Sequence, residues 1–183
     1  AQALRQLLVQ RVESIDTATV NGRIFLWTSG TGFDAHVGGL FAKSTRRGLR
    51  TYVTLVLREL LRYEPKRYTI FVDDKKIVER AFLVTIANAG QYGNDVYIAP
   101  EAGLQDGLLH VVILKPFHLI QGVFVLRRIL QRKAHLSESI STYTAQNVTV
   151  IAEDRQLIHF DGEPVMEDAR LEFALRPRSL KVI

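Results

Sequence analysis

The last third of the chain alternates short runs of β-forming residues with turn-forming residues, and this pattern restricts the fold more than any other feature. Four runs follow one another at the spacing of sandwich strands, namely Asn147 to Ala152, Gln156 to Phe160, Arg170 to Leu175 and Ser179 to Ile183. The sequence therefore predicts a mainly β protein with a few helices, of the α+β class, arranged as a two-layer β-sandwich.

Earlier segments add strands to the same architecture. Asp16 to Thr28 has the pattern of a hairpin, because Asn21-Gly22 supplies the two positive-φ residues of a tight turn. We expect Trp27 to lie in the core. Two further strands are predicted at Tyr68 to Val72 and Ile77 to Ala87.

Two segments have helical periodicity. Apolar residues recur at helical spacing in Gly48 to Tyr63, ahead of Pro65, and we expect this apolar face to pack in the core. Phe117 to Lys133 is predicted as a second helix. Basic residues surround both helices, and such a set suits either a solvated surface or contact with anionic lipid head groups.

Composition narrows the class of protein. The chain has 183 residues, 47% hydrophobic and 23% charged, which is typical of one ordinary globular domain. It has no cysteine, which excludes a disulfide scaffold, a thiolate metal site and a cysteine nucleophile, and is compatible with a reducing cytoplasm. The net charge of +5 favours an anionic partner, whether phosphate, nucleic acid or lipid surface.

The segment His159-Phe160-Asp161-Gly162-Glu163-Pro164 is the first candidate site. A run of β-forming residues, Leu157 to Phe160, is followed by the carboxylates Asp161 and Glu163. Gly162 and Pro164 interrupt the β pattern there, as expected for acidic groups at the rim of a sheet. Asp-Gly is also a common hairpin turn, so Glu163 could equally be a solvated acid. His159 is expected to point to the opposite face from Phe160 and to be structural, because no paired aspartate is identifiable.

A glycine-bearing segment, Ser29 to Ala35, is the second candidate. Gly30 and Gly32 can open an anion-binding nest, or can simply connect a strand to a helix that Asp34 caps. The segment completes neither a dinucleotide fingerprint nor a P-loop.

A long polar segment from Asn88 to Leu108 precedes the strand Leu109 to Leu114. A loop of this length is usually functional. Asp106 and neighbouring carbonyl oxygens could hold a hard cation such as Mg²⁺, or Asp106-Gly107 could be only a turn.

Several of these motifs occur in one order that is similar to a known family. Gly32-Phe33-Asp34-Ala35, Asn88-Ala89-Gly90, Ile98-Ala99-Pro100 with Ala102, Asp106-Gly107 with Leu109, and Asp161-Gly162-Glu163 follow one another from about Ile15 to the end. This order resembles the C-terminal half of the diacylglycerol kinase, sphingosine kinase and bacterial lipid kinase family.

The resemblance implies a domain organisation. Residues 1–183 would form a single lipid-kinase C-terminal, substrate-binding domain, with residues 1–13 as the tail of an interdomain region. The family's N-terminal α/β domain binds ATP through a Gly-Gly-Asp-Gly-Thr loop, which does not occur in this chain. We therefore expect the chain alone to be inactive.

The resemblance also implies site residues. Glu163 corresponds to the catalytic base, Asp106 to a metal-ligating side chain, and Gly103 and Leu108 to positions whose carbonyls complete a structural Mg²⁺ site. ATP would be the co-substrate. The chain departs from the three glycines of many members at Gly93-Asn94-Asp95, where Asp95 adds a charge.

The function expected from the resemblance is phosphorylation of a lipid hydroxyl, with diacylglycerol as the first expectation. Its partners would be its own ATP-binding domain, a lipid substrate at an anionic membrane surface and a second copy in a homodimer, but not nucleic acid. We expect a cytoplasmic protein that contacts the membrane peripherally. A non-catalytic lipid-binding module and an NAD-kinase-like nucleotide kinase remain as alternatives.

Overall fold

The computed structural model describes residues 11–93 and 95–183, and two six-stranded antiparallel sheets form its framework. The first sheet contains β1 (Glu13–Val20), β2 (Arg23–Phe25), β4 (Lys66–Val72), β5 (Lys75–Ala81), β11 (Asn147–Ile151) and β14 (Arg170–Val182), in the order β2-β1-β14-β11-β4-β5. The second contains β3 (Thr28–Gly32), β6 (Leu83–Ala87), β9 (Leu109–Leu114), β10 (Ile140–Ala145), β12 (Gln156–Phe160) and β13 (Glu163–Glu167), in the order β10-β9-β6-β3-β12-β13. A small ribbon pairs β7 (Gln91–Gly93) with β8 (Val96–Tyr97).

The helices form a third layer. They are α1 (Phe33–Lys43), α2 (Leu49–Leu60) and α3 (Leu119–Leu130), with a short 3₁₀ turn at Ala134–Leu136. The predicted second helix is thus shorter than expected, because His118 and Gln121 form a capping box that begins it at Leu119.

The strands of the second sheet supply two cores, because successive side chains of a strand point to opposite faces. In β6, Val84 and Ile86 pack between the two sheets, whereas Leu83 and Ala87 pack beneath the helices. The first core is the interior of the predicted sandwich, and the mainly β, α+β prediction with a two-layer sandwich is confirmed. The second core holds the helical layer against the outer face of the second sheet.

The Asn21-Gly22 hairpin is also confirmed. Asn21 and Gly22 have φ values of 48° and 82°, and β1 pairs with β2 so that Val20 lies opposite Arg23. This is the geometry that a two-residue hairpin turn requires.

Three expectations about the strands and the core are wrong. The runs Arg170 to Leu175 and Ser179 to Ile183, predicted as separate strands, belong to the single strand β14 (Arg170–Val182). The predicted strand Ile77 to Ala87 is divided at Phe82, where the chain passes from the first sheet into the second. Trp27 is not a core residue, since it is 48% exposed. It lies between β2 and β3, where the chain also changes sheets, and its carbonyl accepts hydrogen bonds from the N–H groups of Asn88 and Ala89.

The apolar face of α2 also differs from the expectation of core packing. Leu55, Val56 and Leu60 are partly buried against the second core. The remaining large apolar side chains of this segment, Leu49, Tyr52, Val53, Leu57 and Leu61, are exposed. The helix therefore has one apolar side that packs against the second core and another apolar side that is exposed to solvent.

Within the described part of the chain, no helix is long and apolar enough to cross a membrane. The tail expected at residues 1–13 lies mostly outside the described residues. Glu13 is already the first residue of β1.

Candidate active site

The Asp161-Gly162 dipeptide forms the turn between β12 and β13. Asp161 and Gly162 have φ values of 48° and 93°, and Phe160 lies opposite Glu163 in the strand register. The hairpin-turn interpretation is therefore correct. The same turn places Glu163 at the first position of β13 with an exposed side chain, so the turn and the predicted rim carboxylate occur together.

Asp161 anchors this turn to the rest of the protein. Its Oδ2 atom accepts a hydrogen bond from the Leu26 N–H at 2.8 Å, and its Oδ1 atom accepts from the N–H groups of Trp27 at 2.8 Å and Thr28 at 3.0 Å. The Asp161 N–H donates to the Thr28 carbonyl at 2.9 Å. These bonds attach the residues next to Glu163 to the start of β3.

His159 supports the turn from the helical side. The Gly162 N–H donates to its Nδ1 atom at 3.4 Å, and its Nε2 atom lies 3.1 Å from Oδ2 of Asp34. Because Nδ1 is the acceptor, this network assigns the ring proton to Nε2, which then donates to the carboxylate. His159 is 5% exposed, so this ring is held inside the protein.

Asp34 collects four donors. Besides His159, its carboxylate accepts hydrogen bonds from the Tyr92 hydroxyl at 2.8 Å, the Thr85 hydroxyl at 3.2 Å and the Ala35 N–H at 2.8 Å. Thr85 and Tyr92 also contact each other through their hydroxyl groups. Burial, reinforced by the Asp34 charge, holds the pKa of Tyr92 well above its ordinary value, so its hydroxyl stays protonated and can donate.

This network is not among the features predicted from the sequence. Asp34 was expected to cap a helix, but it is the second residue of α1, and Gly32 occupies the cap position without a side-chain cap bond. His159 was expected to be structural because no aspartate partner is identifiable in the sequence, and the structure shows that Asp34 is that partner. The sequence did contain a signal for this pair. His159 alternates with residues of the sandwich core and so points to the other face of the sheet, and Asp34 lies at the start of a predicted helix.

Gly32 allows the close approach that brings Asp34 to the sheet. Its φ is 113°, and a Cβ atom there would lie 2.7 Å from the Phe82 carbonyl oxygen. β3 therefore enters α1 directly at Phe33. The strand-to-helix interpretation of this segment is correct.

The loop around Asp106 is held by two carboxylates. Oδ2 of Asp106 accepts the Gly103 N–H at 2.9 Å and lies 3.0 Å from Nε2 of His110, while Oδ1 accepts the Leu108 N–H at 2.9 Å. The second carboxylate belongs to Asp16, which is 2% exposed and was not singled out in the sequence. It accepts the N–H groups of Gly107 at 3.0 Å and Arg178 at 2.7 Å.

The donor chemistry of this loop fits a hard cation only partly. Among the described residues, no group of three or more acidic, histidine or cysteine side chains could hold a metal. A magnesium ion would therefore depend on Asp106 and on the carbonyl oxygens of Gly103 and Leu108, which are suitable ligands by type. Oδ2 of Asp106 already has two partners and Oδ1 has one, so Oδ1 keeps an acceptor direction. The Mg²⁺ site stays a prediction.

The charge of Asp95, which departs from the glycine-rich family pattern, is paired in the structure. Its Oδ1 atom lies 2.6 Å from a guanidinium nitrogen of Arg132, and that guanidinium lies 4.0 Å from the centre of the Tyr97 ring. Asp95 itself adopts a φ of 63°, the left-handed conformation that aspartate tolerates better than most residues.

An open apolar cleft of about 580 Å³ lies between the end of α2 and the beginning of α3. Its lining residues are Leu60, Leu61, Tyr63, Pro65, Phe82, Phe117, His118 and Ile120. Phe33, the neighbour of Asp34, packs against two of them, with ring centres 5.6 Å from Tyr63 and 4.5 Å from Phe82. A continuous set of aromatic rings thus connects the cleft to the start of α1.

A known protein family matches most of the chain. The family model for the YegS C-terminal NAD kinase beta sandwich-like domain matches residues 28–183. The chain is 23% identical over 187 residues to the "Putative lipid kinase" of Staphylococcus haemolyticus, covering 100% of this chain and 60% of that protein. It is 23% identical over 181 residues to the "Probable lipid kinase YegS-like" of Chromohalobacter salexigens, covering 98% of this chain and 58% of that protein.

Among solved structures, a "putative diacylglycerol kinase" of Bacillus anthracis superposes with a TM-score of 0.73 and 19% identity, over 98% of this chain and 59% of that one. At this identity the likeness shows the fold. The chain spans about three fifths of the length of the curated relatives it matches.

Proposed function

The chain belongs to the YegS C-terminal NAD kinase beta sandwich-like domain family, and from that premise we propose that it is the substrate-binding and catalytic-base half of an ATP-dependent lipid kinase. The acceptor is a lipid hydroxyl, and diacylglycerol is the proposed substrate. The names of the curated relatives support the lipid kinase activity, and the name of the structural neighbour from Bacillus anthracis supports the choice of diacylglycerol.

The placement of Glu163 is the observation that carries this proposal. A general base must be accessible to the substrate and fixed in position. Glu163 is exposed, and the turn before it is bonded to Leu26, Trp27 and Thr28 through Asp161 and to His159 through Gly162. The carboxylate is thus free to meet a hydroxyl while its backbone stays anchored.

In the proposed reaction, Glu163 receives the proton of the substrate hydroxyl. The hydroxyl oxygen forms a bond to the γ-phosphorus of ATP as the bond from that phosphorus to the β,γ-bridging oxygen breaks, and ADP leaves. Such a transfer depends mainly on alignment and on neutralising charge, and a positioned base contributes typically a factor of about 10² to 10⁴ in rate.

His159 and Asp34 act in this scheme as positioning residues. The Nε2 proton of His159 is directed to Asp34, which leaves Nδ1 to accept the Gly162 N–H. Because Gly162 directly precedes Glu163, this bond fixes the peptide from which the base projects.

Two further components are proposed. ATP would be held by a domain outside this chain, since the chain has no Gly-Gly-Asp-Gly-Thr sequence. Asp106, with the carbonyls of Gly103 and Leu108, would hold a structural Mg²⁺ ion, whose positive charge would stiffen the loop. The apolar cleft between α2 and α3 suits a lipid tail, because its lining is aliphatic and aromatic apart from His118.

The test is a transfer assay with the intact protein as the cell makes it. The protein is incubated with Mg²⁺ and γ-labelled ATP, and with diacylglycerol or sphingosine in detergent micelles or with NAD in solution. We expect label on diacylglycerol. Label on NAD would favour a nucleotide kinase instead, and lipid binding without any transfer would favour a non-catalytic lipid-binding module.

A further inference from the structure

The helices α2 and α3 expose an unusual number of large apolar side chains. Leu57 is 62% exposed, Leu61 68%, Ile120 76% and Phe124 62%. The remaining members of this set are Leu49, Tyr52, Val53, Val123, Leu126 and Leu130. Single exposed apolar residues are normal on protein surfaces, but a group of this size on two helices marks an interaction surface.

These side chains are not the faces that hold the helices in place. In α3, Val125 is buried in the second core and Ile129 is partly buried against it. In α2, Leu55, Val56 and Leu60 are partly buried against the same core. Each helix therefore has a second apolar side that is directed to solvent. We call the exposed apolar side chains of α2 and α3 the helical face.

The two halves of the helical face meet. Leu61, which follows the last residue of α2, and Ile120, in the first turn of α3, both line the apolar cleft and are both strongly exposed. The cleft therefore opens in the middle of the helical face rather than at a separate place on the protein.

Positive charge is concentrated in the segments of the chain that contain these two helices. Residues 36–62 and 116–137 together contain ten lysines and arginines and one acid, Glu59, a net charge of +9. Because the whole chain carries +5, the rest of it carries −4. Within the described part of the chain, no carboxylate lies within salt-bridge distance of Arg50, Arg62, Arg127 or Arg128, whereas Arg58 and Arg132 are paired with Glu59 and Asp95.

We propose that the helical face docks on the surface of an anionic lipid bilayer. Its apolar side chains enter the boundary between head groups and acyl chains, and the surrounding arginines contact lipid phosphates. An apolar face bordered by basic residues is the arrangement with which amphipathic helices lie in a membrane interface. A protein partner would need an apolar surface of matching shape and about nine negative charges to balance this region. An anionic bilayer offers an apolar interior and negatively charged head groups at every point of its surface.

This inference extends the proposed function and depends on it, because membrane docking serves a lipid kinase by bringing it to its substrate. If the face lies on a bilayer, the cleft that opens within it faces the lipid directly. A substrate lipid could then move from the bilayer into the cleft while its apolar tail remains covered.

The test separates docking from catalysis. Binding of the intact protein to sedimenting vesicles is measured without ATP, using vesicles of neutral phosphatidylcholine with and without anionic phosphatidylglycerol. Leu57→Ser with Phe124→Ser removes apolar contacts, and Arg50→Glu with Arg127→Glu reverses charges. Ile24→Ser with Val78→Ser is the matched control, because both side chains are about half exposed but lie on β2 and β5 of the first sheet.

We expect binding to anionic vesicles to fall about tenfold or more in the serine variant, since each large apolar side chain contributes that much when it is buried. The glutamate variant should also lose about tenfold or more, since each cation near an anionic surface contributes a factor of about five, and the salt dependence of its binding should be weaker. The control variant should bind as the unchanged protein does.

Several results would overturn the proposal. These are an unchanged protein that does not bind anionic vesicles, a serine variant that binds as well as the control, and a serine variant that alters the oligomeric state or lowers the melting temperature without affecting vesicle binding. The last result would mean that a second copy or another domain covers the helical face. Phosphorylation of a short-chain diacylglycerol below its micelle concentration tests the lipid kinase function separately, because that reaction needs no bilayer.

Discussion

Nε2 of His159 lies 3.1 Å from Oδ2 of Asp34, although the two residues are 125 positions apart in the chain. This contact joins the turn that carries Glu163 to the helix that follows β3. Tyr92 and Thr85 donate to the same carboxylate, so the pair belongs to a buried network rather than to an isolated ion pair. The turn at the rim of the sheet is thereby held from the inside of the protein.

His159→Leu should lower the stability of the protein, because it leaves Asp34 without one donor and the Gly162 N–H without its acceptor. Loss of a partner inside a protein costs about 1 to 3 kcal/mol. His159→Gln keeps a side-chain amide that can donate to Asp34, and we expect it to recover part of the loss. Thermal unfolding measures the stability, and the exposed His135→Leu is the control. Equal effects of the leucine and glutamine variants would show that the hydrogen bond to Asp34 does not matter.

Glu163→Gln should lower the rate of lipid phosphorylation by the intact protein by a factor of about 10² to 10⁴, because glutamine cannot receive the substrate proton. The melting temperature should stay the same, since Glu163 is exposed. Turnover with saturating ATP and diacylglycerol is the measurement, with the exposed Glu138→Gln as the control. Unchanged turnover would remove Glu163 from the mechanism.

Asp161→Ala should destabilise the protein by about 2 kcal/mol, because three backbone N–H groups lose a charged acceptor that lies near the surface. Asp161→Asn keeps one acceptor oxygen and should cost less. Denaturant unfolding gives the free energies, and the exposed Asp154→Ala serves as control. If Asp161→Ala were no worse than that control, the turn would be held by other contacts.

Magnesium should raise the melting temperature of the unchanged protein, because an ion that binds only the folded state stabilises it. Asp106→Ala should lower the melting temperature and abolish the response to magnesium. The response is the diagnostic quantity, since the substitution also removes the acceptor of the Gly103 and Leu108 N–H groups. Calcium and chelator titrations complete the experiment. A melting temperature indifferent to magnesium in the unchanged protein would contradict the site.

Alkaline pH should destabilise the protein in part through Tyr92. The pKa of Tyr92 in the folded state is raised above its ordinary value of 10.0, chiefly by burial and then by Asp34. The unfolded chain therefore loses this proton first, so the stabilisation is fully present below about pH 10 and decreases as the pH rises further. Tyr92→Phe should show a shallower loss as the pH rises above about 10 in denaturant unfolding. Identical slopes for the two proteins would contradict the assignment.

Much of the fold follows from local signals in the sequence. The Asn21-Gly22 and Asp161-Gly162 turns form as predicted because a two-residue hairpin needs positive φ at both positions, and these residue pairs tolerate it at little cost. Leu109 to Leu114 forms the predicted strand with the same bounds. The predicted family membership rested on the order of several weak motifs, and the family model matches the chain over most of its length.

Other properties were not accessible in this way. Helical spacing predicted α2, but it could not distinguish the side that packs on the second sheet from the side that forms the helical face, because both are apolar. The segment Ile77 to Ala87 contains β-forming residues on both sides of Phe82, so its sequence gives no sign of a break. The break between β5 and β6 arises because the chain passes from the first sheet into the second at Phe82.

The sequence by itself thus determined many of the strands, the two tight turns, and the position of Glu163 directly after the Asp161-Gly162 turn. The tertiary structure decided which groups each inward-facing carboxylate contacts. Asp34 reaches His159 across 125 residues, and Asp16 reaches the N–H of Arg178 across 162. The physical reason is that turn and strand preferences depend on the backbone angles of neighbouring residues, whereas the partner of a buried carboxylate depends on which strands and helices pack side by side.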